Sequence, residues 1–151
     1  MEMLPIDIDE SRNSSFTDDE SREVLSVYPA FYQRVGFFPP WIGYFFRQDD
    51  RIVGCGGFKG KPVDGKVEVA YGTFREFEGR GIGTQICGAL VSLSNETNPK
   101  LRIMARTLPA ESGSTTILRR NGFRLRGVVH DEEDGDVWEW EWDRVTMRNR
   151  S

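Results

Sequence analysis

The chain has little of several residue types on which metal binding and membrane insertion depend. Among its 151 residues there is one histidine, His130, and there are two cysteines, Cys55 and Cys87. Both cysteines lie inside apolar runs and their spacing suits no metal site, so we expect reduced, buried thiols in a cytoplasmic protein and no metal. No apolar run approaches membrane-spanning length, and the stretch Met3 to Ile6 is too short for a signal peptide.

An excess of positive charge is also lacking. The formal net charge is −4 and the sequence pI is about 5.1, so we expect neither a nucleic acid nor a membrane as partner. A homodimer is left open. Hydrophobic residues make up 38% of the chain and include ten Phe and four Trp, which is enough for a core. The length predicts a single domain over residues 1–151, with residues 1–15 and 144–151 loosely ordered.

A glycine-rich turn, Glu78 to Thr84, is the most informative stretch, and its sequence is EGRGIGT. A strand-like run from Lys66 to Phe74 precedes it, and a helix-like run from Gly83 to Ser94 follows it. Such a turn leaves backbone N–H groups free at a helix start, where the helix dipole also favours an anion. Arg80 adds a cation that could contact a phosphate. The sequence therefore predicts a phosphate-bearing ligand at this turn.

The spacing of these glycines differs from that of two common nucleotide-binding loops. A Walker loop has Lys and then Ser or Thr after its last glycine, whereas Gly83 is followed by Thr84 and Gln85. A dinucleotide fingerprint reads G-x-G-x-x-G, whereas this turn reads G-x-G-x-G. The glycines alone leave a plain tight turn as the alternative.

An N-terminal helix is predicted before the sheet. Thr17 and Glu20 have the spacing of a capping box. We expect the helix to end near Tyr28, because Pro29 discourages its continuation. The aromatic stretch over residues 30–40 then has two interpretations, a wall of a substrate pocket or plain core, and the residues alone favour core.

The remaining elements alternate between strands and helices. Strand-like runs are Trp41 to Gln48, Arg51 to Phe58, Leu101 to Thr107, Phe123 to Asp131 and Asp136 to Trp142. A short helix is expected to begin at a cap formed by Ser112 or Ser114 and to end at Gly122. The order predicts an α/β or α+β domain with a mixed sheet and helices on both faces.

Three blocks of this chain, in this order, resemble the GNAT superfamily of N-acetyltransferases, in particular its ribosomal-protein-acetylating branch. They are Val67 to Tyr71, Glu78 to Gly83, and Thr107 to Pro109 followed by Ser114 and Leu118 to Phe123. The first resembles the strand motif of that branch, the second its acetyl-CoA signature and the third its last conserved block. The resemblance covers most of the chain, from Trp41 to Trp142.

The resemblance implies a mostly antiparallel sheet in which the strands Lys66–Phe74 and Leu101–Thr107 splay apart around the pantetheine arm of acetyl-CoA. It implies that acetyl-CoA binds at the strand end and the glycine turn. The implied residues are Thr73, Phe74, Arg75, Gly79, Arg80, Gly81, Ile82, Gly83 and Thr84. The implied activity is acetyl transfer to a primary amine, of a small molecule or a peptide, by direct attack in a ternary complex. An inactive CoA-binding sensor or interaction module is the alternative.

Two residues are candidates for catalysis, Glu68 and Ser114. A lysine-like amine has a pKa of about 10.4, so direct transfer at neutral pH needs a route for the proton of the amine. Glu68, in mid-strand, is either that base or a structural carboxylate, and both interpretations remain open. By resemblance Ser114 lies near the thiol end of the cosubstrate, and its alternative role is a helix N-cap.

Three residues depart from the pattern of the family. Glu78 stands where the signature usually has Arg or Gln, and Glu111 stands where the third block usually has Asn. Leu118 stands where many members carry a tyrosine that protonates the leaving thiolate. We expect Glu78 to point away from the pyrophosphate, because its charge would not help there. These departures are the features that favour the inactive alternative.

Overall fold

The computed structural model describes residues 1–144, and in this part of the chain seven strands form one sheet with three α-helices. The strands are β1 Glu2–Pro5, β2 Gly43–Gln48, β3 Arg51–Phe58, β4 Lys66–Thr73, β5 Arg102–Thr107, β6 Phe123–Asp131 and β7 Gly135–Trp142. The helices are α1 Asp19–Val35, α2 Ile82–Thr97 and α3 Gly113–Arg120. Of the tail predicted to be loosely ordered, residues 145–151 lie outside the described part, and Arg144 donates a hydrogen bond to Asn95 Oδ1 at 2.8 Å.

The strand order is β1-β2-β3-β4-β5-β7-β6, and every neighbouring pair is antiparallel except β4 and β5. The parallel pairing of β4 with β5 ends at Glu68 opposite Met104. Beyond that point β4 continues along β3 to Thr73, while β5 continues along β7 to Thr107. The two central strands therefore diverge, which confirms the predicted mixed sheet with a splayed central pair.

Helices cover both faces of this sheet, as predicted. A Cβ on Gly43 would collide with Tyr28 of α1, whereas a Cβ on Gly54 would lie 2.7 Å from Ile86 of α2. Gly43 pairs with Gly57, three residues from Gly54, so the two glycines point to opposite faces. Helix α3 packs beside α2 on the second face, and the core fills the space between the sheet and its helices.

The prediction that Pro29 ends the first helix is wrong. Helix α1 continues through Pro29 to Val35. The reason lies after the proline, where Tyr32 is buried, donates its hydroxyl hydrogen to Ile6 O at 2.7 Å and accepts the Gly43 N–H at 3.0 Å. Proline removes one backbone donor from the helix, and the burial of the tyrosine with its two tertiary hydrogen bonds compensates for that loss.

The start of α1 differs from the predicted capping box by one residue. The N-cap is Asp18 rather than Thr17, and its carboxylate accepts the N–H of Ser21 at 3.1 Å. Glu20 was expected to close the box, but its carboxylate instead accepts the N–H of Arg75 at 3.2 Å. A tertiary contact with the segment after β4 thus replaces the local one.

The first residues are also more structured than the expectation of a loosely ordered segment over 1–15. The strand β1 pairs with β2, and Ile6 after it is fully buried. Asn13 then closes a loop on Asp7 by accepting its N–H at 2.9 Å and donating to its carbonyl oxygen at 3.0 Å. A four-residue edge strand has too short a pattern to be recognised in the sequence. Within residues 1–144, no helix combines the length and the apolar character needed to cross a bilayer.

Candidate functional site

The glycine turn has the geometry of an anion site. Gly79 and Gly81 adopt φ angles of 78° and 77°, which a residue with a Cβ disfavours. Gly81 is the N-cap of α2, and no side chain caps this helix. A Cβ on either glycine would meet no atom within 4 Å, so open space lies above the turn. The first N–H groups of α2 and its dipole therefore favour an anion approaching through that space.

Close packing, rather than a left-handed backbone, explains why the third glycine of the turn, Gly83, carries no side chain. A Cβ there would lie 2.6 Å from Ile117 Cδ1 and 3.2 Å from Thr73 Oγ1. The absence of a side chain at Gly83 therefore lets α3 pack closely against the first turn of α2. Asn121, at the end of α3, supports this packing by donating to Thr84 O at 3.1 Å.

A groove of about 490 Å³ extends from the turn to the place where β4 and β5 separate. We call it the glycine-turn groove. The predicted site residues that line it are Thr73, Gly79, Gly81, Ile82, Gly83, Thr84 and Ser114. Its other lining residues are Tyr71, Gly72, Phe77, Glu78, Gly113, Thr116, Ile117 and Arg120. Sequence reasoning missed Arg120, which is the cation of this lining. Glu78 lies in the lining as well, and the expectation that its carboxylate points away from the pyrophosphate stays a prediction.

Three of the residues predicted to bind acetyl-CoA lie outside the glycine-turn groove. The N–H of Phe74 donates to Val53 O at 2.9 Å, and the N–H of Arg75 donates to the carboxylate of Glu20 at 3.2 Å. Arg80 is exposed and is not part of the lining. The amides of Phe74 and Arg75 are thus already engaged elsewhere in the protein.

Other backbone groups of β4 face the gap instead. Along a strand the backbone groups point alternately to its two neighbours. The Lys59 N–H donates to Glu68 O at 2.9 Å, so Glu68 presents its backbone to β3. By alternation, the backbone groups of Val69, Tyr71 and Thr73 point into the gap that opens between β4 and β5.

The side chain of Tyr71 spans that gap. Its hydroxyl donates to Ser114 O at 3.2 Å, and burial raises the pKa of Tyr71. Of the two residues predicted to cap α3, the structure uses Ser112, whose side chain accepts the Thr115 N–H at 3.4 Å. Ser114 therefore has no capping role, and it lies at the edge of the gap.

The carboxylate of Glu68 lies where β4 and β5 diverge, on the face of the sheet opposite to the glycine-turn groove. Lys59 Nζ is 2.6 Å from Glu68 Oε2, and Arg106 Nε is 3.8 Å from Glu68 Oε1. Arg106 also contacts Asp131 at 3.1 Å. The side chain of Glu68 is 22% exposed, and a half-buried carboxylate with two cations beside it is typical of a structural ion pair. These contacts favour the structural interpretation over the base.

Helix α1 and the sheet line a second cavity, of about 470 Å³ and open to solvent, on that opposite face. We call it the α1 cavity. Its lining residues are Val27, Tyr28, Ala30, Phe31, Arg34, Cys55, Gly56, Gly57, Phe58, Lys59, Ala70, Tyr71, Gly72 and Glu133. Part of the aromatic stretch over residues 30–40 is therefore pocket wall rather than plain core. Tyr71 and Gly72 line both cavities, so the two cavities approach the same residues of β4 from opposite faces of the sheet.

The two other departures from the family pattern have structural explanations. Leu118 is fully buried, so no hydroxyl projects from this position into the groove. Glu111 accepts a hydrogen bond from Thr115 Oγ1 at 2.7 Å, and the hydrogen bond from Arg119 lowers its pKa. His130 is exposed beside Asp136 and takes no part in either cavity.

Residues 8–124 match the family model described as the acetyltransferase (GNAT) domain. The chain therefore belongs to the GNAT family of acetyltransferases. This confirms the predicted acetyl-CoA-dependent acyltransferase, with acetyl-CoA as cosubstrate. No curated protein matches the chain. Within the described residues, no group of His, Cys, Asp and Glu is arranged to hold a metal ion.

Solved acetyltransferase structures share the fold. Aminoglycoside acetyltransferase AAC(6')-Ib in complex with coenzyme A has a TM-score of 0.71 at 16% identity, over 99% of this chain and 98% of that chain. RimL, the ribosomal L7/L12 alpha-N-protein acetyltransferase, in complex with coenzyme A has a TM-score of 0.66 at 17% identity, over 92% and 91%. The Salmonella typhimurium acetyl transferase that modifies the N-terminal serine of 50S ribosomal subunit protein L7/L12 has a TM-score of 0.62 at 21% identity, over 82% and 73%.

Proposed function

We propose that this protein transfers the acetyl group of acetyl-CoA to a primary amine by direct attack in a ternary complex. The observation that carries this proposal is that two cavities, one on each face of the sheet, share the lining residues Tyr71 and Gly72. A donor in the glycine-turn groove and an acceptor in the α1 cavity reach the same point, which brings the reacting atoms together.

A mechanism in which a cysteine is first acetylated fits the structure less well than direct attack. Burial raises the pKa of Cys55 to about 11 and that of Cys87 to about 12. A thiol is nucleophilic as the thiolate, and neither cysteine reaches that form near neutral pH. Direct attack needs no such nucleophile on the protein.

Acetyl-CoA binding is assigned in this proposal to the turn and to the gap. The N–H groups around Gly81 at the start of α2 hold the pyrophosphate, and Arg120 and Arg80 supply positive charge from the two sides. The gap-facing backbone groups of Val69 and Thr73 pair with the pantetheine amides, as an added strand would. In this proposal Val69 joins Thr73 in binding the cosubstrate, in place of Phe74 and Arg75, which the family resemblance implied as acetyl-CoA-binding residues.

The chemical step uses groups at the point where β4 and β5 separate. A gap-facing N–H of β4, such as that of Tyr71, polarises the thioester carbonyl. Ser114 donates a hydrogen bond to the departing thiolate, and Tyr71 holds the backbone of Ser114 in place. The amine attacks as its neutral fraction and releases its proton to water. Glu68 fixes Lys59 and Arg106 and accepts no proton.

Initial-rate kinetics with acetyl-CoA and a panel of primary amines, followed by release of the CoA thiol, test this proposal. A ternary complex gives intersecting double-reciprocal lines, whereas parallel lines indicate an acyl-enzyme and overturn direct attack. Binding of acetyl-CoA without thiol release for any amine supports the alternative, an inactive CoA-binding module. The absence of a hydroxyl at Leu118 is the observation that favours that alternative.

The names of structural neighbours give two kinds of acceptor, the α-amino group of a ribosomal protein and aminoglycosides. The panel therefore includes a peptide with an N-terminal serine, an aminoglycoside and small monoamines.

A further inference from the structure

The walls of the α1 cavity are apolar on both sides. Val27 and Phe31 project from α1, and Val27 is 61% exposed at the rim. Cys55 and Ala70 form the opposite wall on the sheet. Large apolar side chains left exposed around a cavity are typical of a site for an apolar ligand, and about 470 Å³ suits a small molecule.

The lining of the α1 cavity holds few charges. Among the described residues these are two cations, Lys59 and Arg34, and one carboxylate, Glu133. Lys59 Nζ is 2.6 Å from Glu68 Oε2, whereas Arg34 and Glu133 are both exposed and lie 4.0 Å apart. A ligand with several positive charges would therefore meet two cations and a single hydrated carboxylate, which offsets little of the cost of desolvating the ligand.

A missing side chain at Gly72 opens the passage between the α1 cavity and the gap. Gly72 pairs with Cys55, so a side chain at either position would point to the α1 face. A Cβ on Gly72 would meet no atom within 4 Å, and its φ is not in the left-handed region. The backbone thus accepts a side chain there, and the space that the side chain would fill is open to an acceptor.

We infer that the acceptor is a primary amine on an apolar or aromatic body without a second positive charge, and that it reaches the thioester over Gly72. This inference rests on the proposed function, because it takes the α1 cavity as the acceptor site. The attacking amine reacts in its neutral form, so it needs no carboxylate in the cavity.

A matched pair of amines tests the charge argument. Phenethylamine is compared with its 4-aminomethyl derivative, which has the same body and a second cationic amine, and with spermidine. Calorimetry on the CoA-loaded protein measures binding, and thiol release with acetyl-CoA measures turnover. We expect kcat/KM for phenethylamine to exceed that of the derivative by about tenfold or more. Equal or better use of the derivative or of spermidine overturns the inference.

Substitution of Gly72 tests the route. Gly72→Leu is expected to weaken phenethylamine binding about tenfold or more, with an intermediate effect of Gly72→Ala. Because Gly72 also lines the glycine-turn groove, the Kd of CoA is measured for each variant and phenethylamine binding is compared at saturating CoA. Val128→Leu, at an exposed position outside both cavities, controls for added bulk in a strand. Unchanged phenethylamine binding in a folded Gly72→Leu variant overturns the route.

The two measurements, amine binding by calorimetry and thiol release with acetyl-CoA, distinguish a failure of this inference from a failure of the proposed function. If phenethylamine binds in a Gly72-dependent manner but no amine releases thiol, acetyl transfer is overturned and the ligand class is supported. If spermidine is acetylated and phenethylamine is neither bound nor acetylated, acetyl transfer is supported and the ligand class is overturned. Absence of binding for every amine overturns the ligand class, whatever the result with acetyl-CoA.

Discussion

Glu68 illustrates how one carboxylate organises its surroundings, since it holds Lys59 and Arg106 where β4 and β5 diverge. Glu68→Gln keeps the shape and removes the charge that pairs with both cations. We expect a loss of about 1–2 kcal/mol in the free energy of unfolding, because a half-buried cation is left without its partner. Turnover per folded molecule should be retained, and the pH–rate profile should superimpose on that of the wild type.

Thermal melts and pH–rate profiles with the best amine measure both effects. Glu76→Gln is the matched control, because it breaks an exposed pair with Arg51 and is expected to cost less than about 1 kcal/mol. A general base contributes about 10²- to 10⁴-fold. A loss of turnover of that size in Glu68→Gln, shrinking as pH rises, would show that Glu68 is the base after all.

Ser112 and Ser114 allow a residue-scale test of capping against catalysis. Ser112 caps α3, so Ser112→Ala should lower stability by about 0.5–2 kcal/mol. Ser114 lies in the glycine-turn groove without a capping role, so Ser114→Ala should keep the melting temperature and lower kcat by about tenfold or more. The same pair of measurements, melting and kcat, is made on both variants. Unchanged kcat in Ser114→Ala would remove its hydroxyl from the mechanism.

At the scale of elements, the three glycines of the turn have two different roles. Gly79 and Gly81 leave open space for an anion, whereas Gly83 lets α3 pack on α2. Gly81→Asp introduces a charge and a side chain at the anion site, in open space but at a left-handed φ. That φ should cost about 1–2 kcal/mol of stability, which Asp tolerates better than most residues, so the protein should still fold. The Kd of CoA should rise by about 100-fold or more. Gly83→Ala should instead destabilise the packing of α2 on α3, because its Cβ would lie 2.6 Å from Ile117 Cδ1.

A double-mutant cycle checks this division. Ile117→Ala opens space for the new Cβ, so the double variant with Gly83→Ala should be more stable than the sum of the two single losses predicts. Calorimetry with CoA and thermal melts are measured on all variants. Additive losses would mean that the contact between Gly83 and Ile117 does not limit the packing.

The elements that the sequence predicted well are those whose signal is local. The alternation in β4 and the helical spacing in α2 lie within single segments, and so does the glycine turn. The continuation of α1 past Pro29 and the strand β1 depend on contacts with distant residues, such as Tyr32 with Ile6. The choice of gap-facing amides follows from the pairing of β4 with β3, which is likewise a tertiary property.

The candidate site likewise has one part that local sequence predicts and another part that depends on the tertiary structure. The glycines that favour an anion are adjacent in sequence, and the family resemblance supplied Ser114 in addition. The α1 cavity combines residues from α1, the sheet and the turn after β6, among them Phe31, Gly72 and Glu133. No spacing in the sequence relates these three positions. The sequence offered residues 30–40 as a possible pocket wall, but the cavity itself became visible only in the folded chain.

At the scale of the whole molecule, the divergence of β4 and β5 opens a gap in the sheet between the face covered by α1 and the face covered by α2 and α3. β5 leaves β4 after Met104 and continues along β7. Beside this gap, the glycine-turn groove on the face of α2 and α3 and the α1 cavity on the other face share the lining residues Tyr71 and Gly72. A ligand in the gap would satisfy backbone groups of β4 that β5 leaves unpaired, and it would contact both halves of the sheet.

Binding of acetyl-CoA should therefore stabilise the whole fold. A ligand that binds only the native state adds about 2.7 kcal/mol at 100 times its Kd, so the melting temperature should rise with the concentration of acetyl-CoA or CoA. NAD and ATP also carry phosphates, but they lack the pantetheine arm that pairs with the gap-facing groups of β4, so they should stabilise the protein much less. In Gly81→Asp the shift with CoA should disappear, whereas Val128→Leu, outside both cavities, should retain it. Stabilisation by NAD in the absence of any shift with CoA would mean that the turn holds a different phosphate ligand.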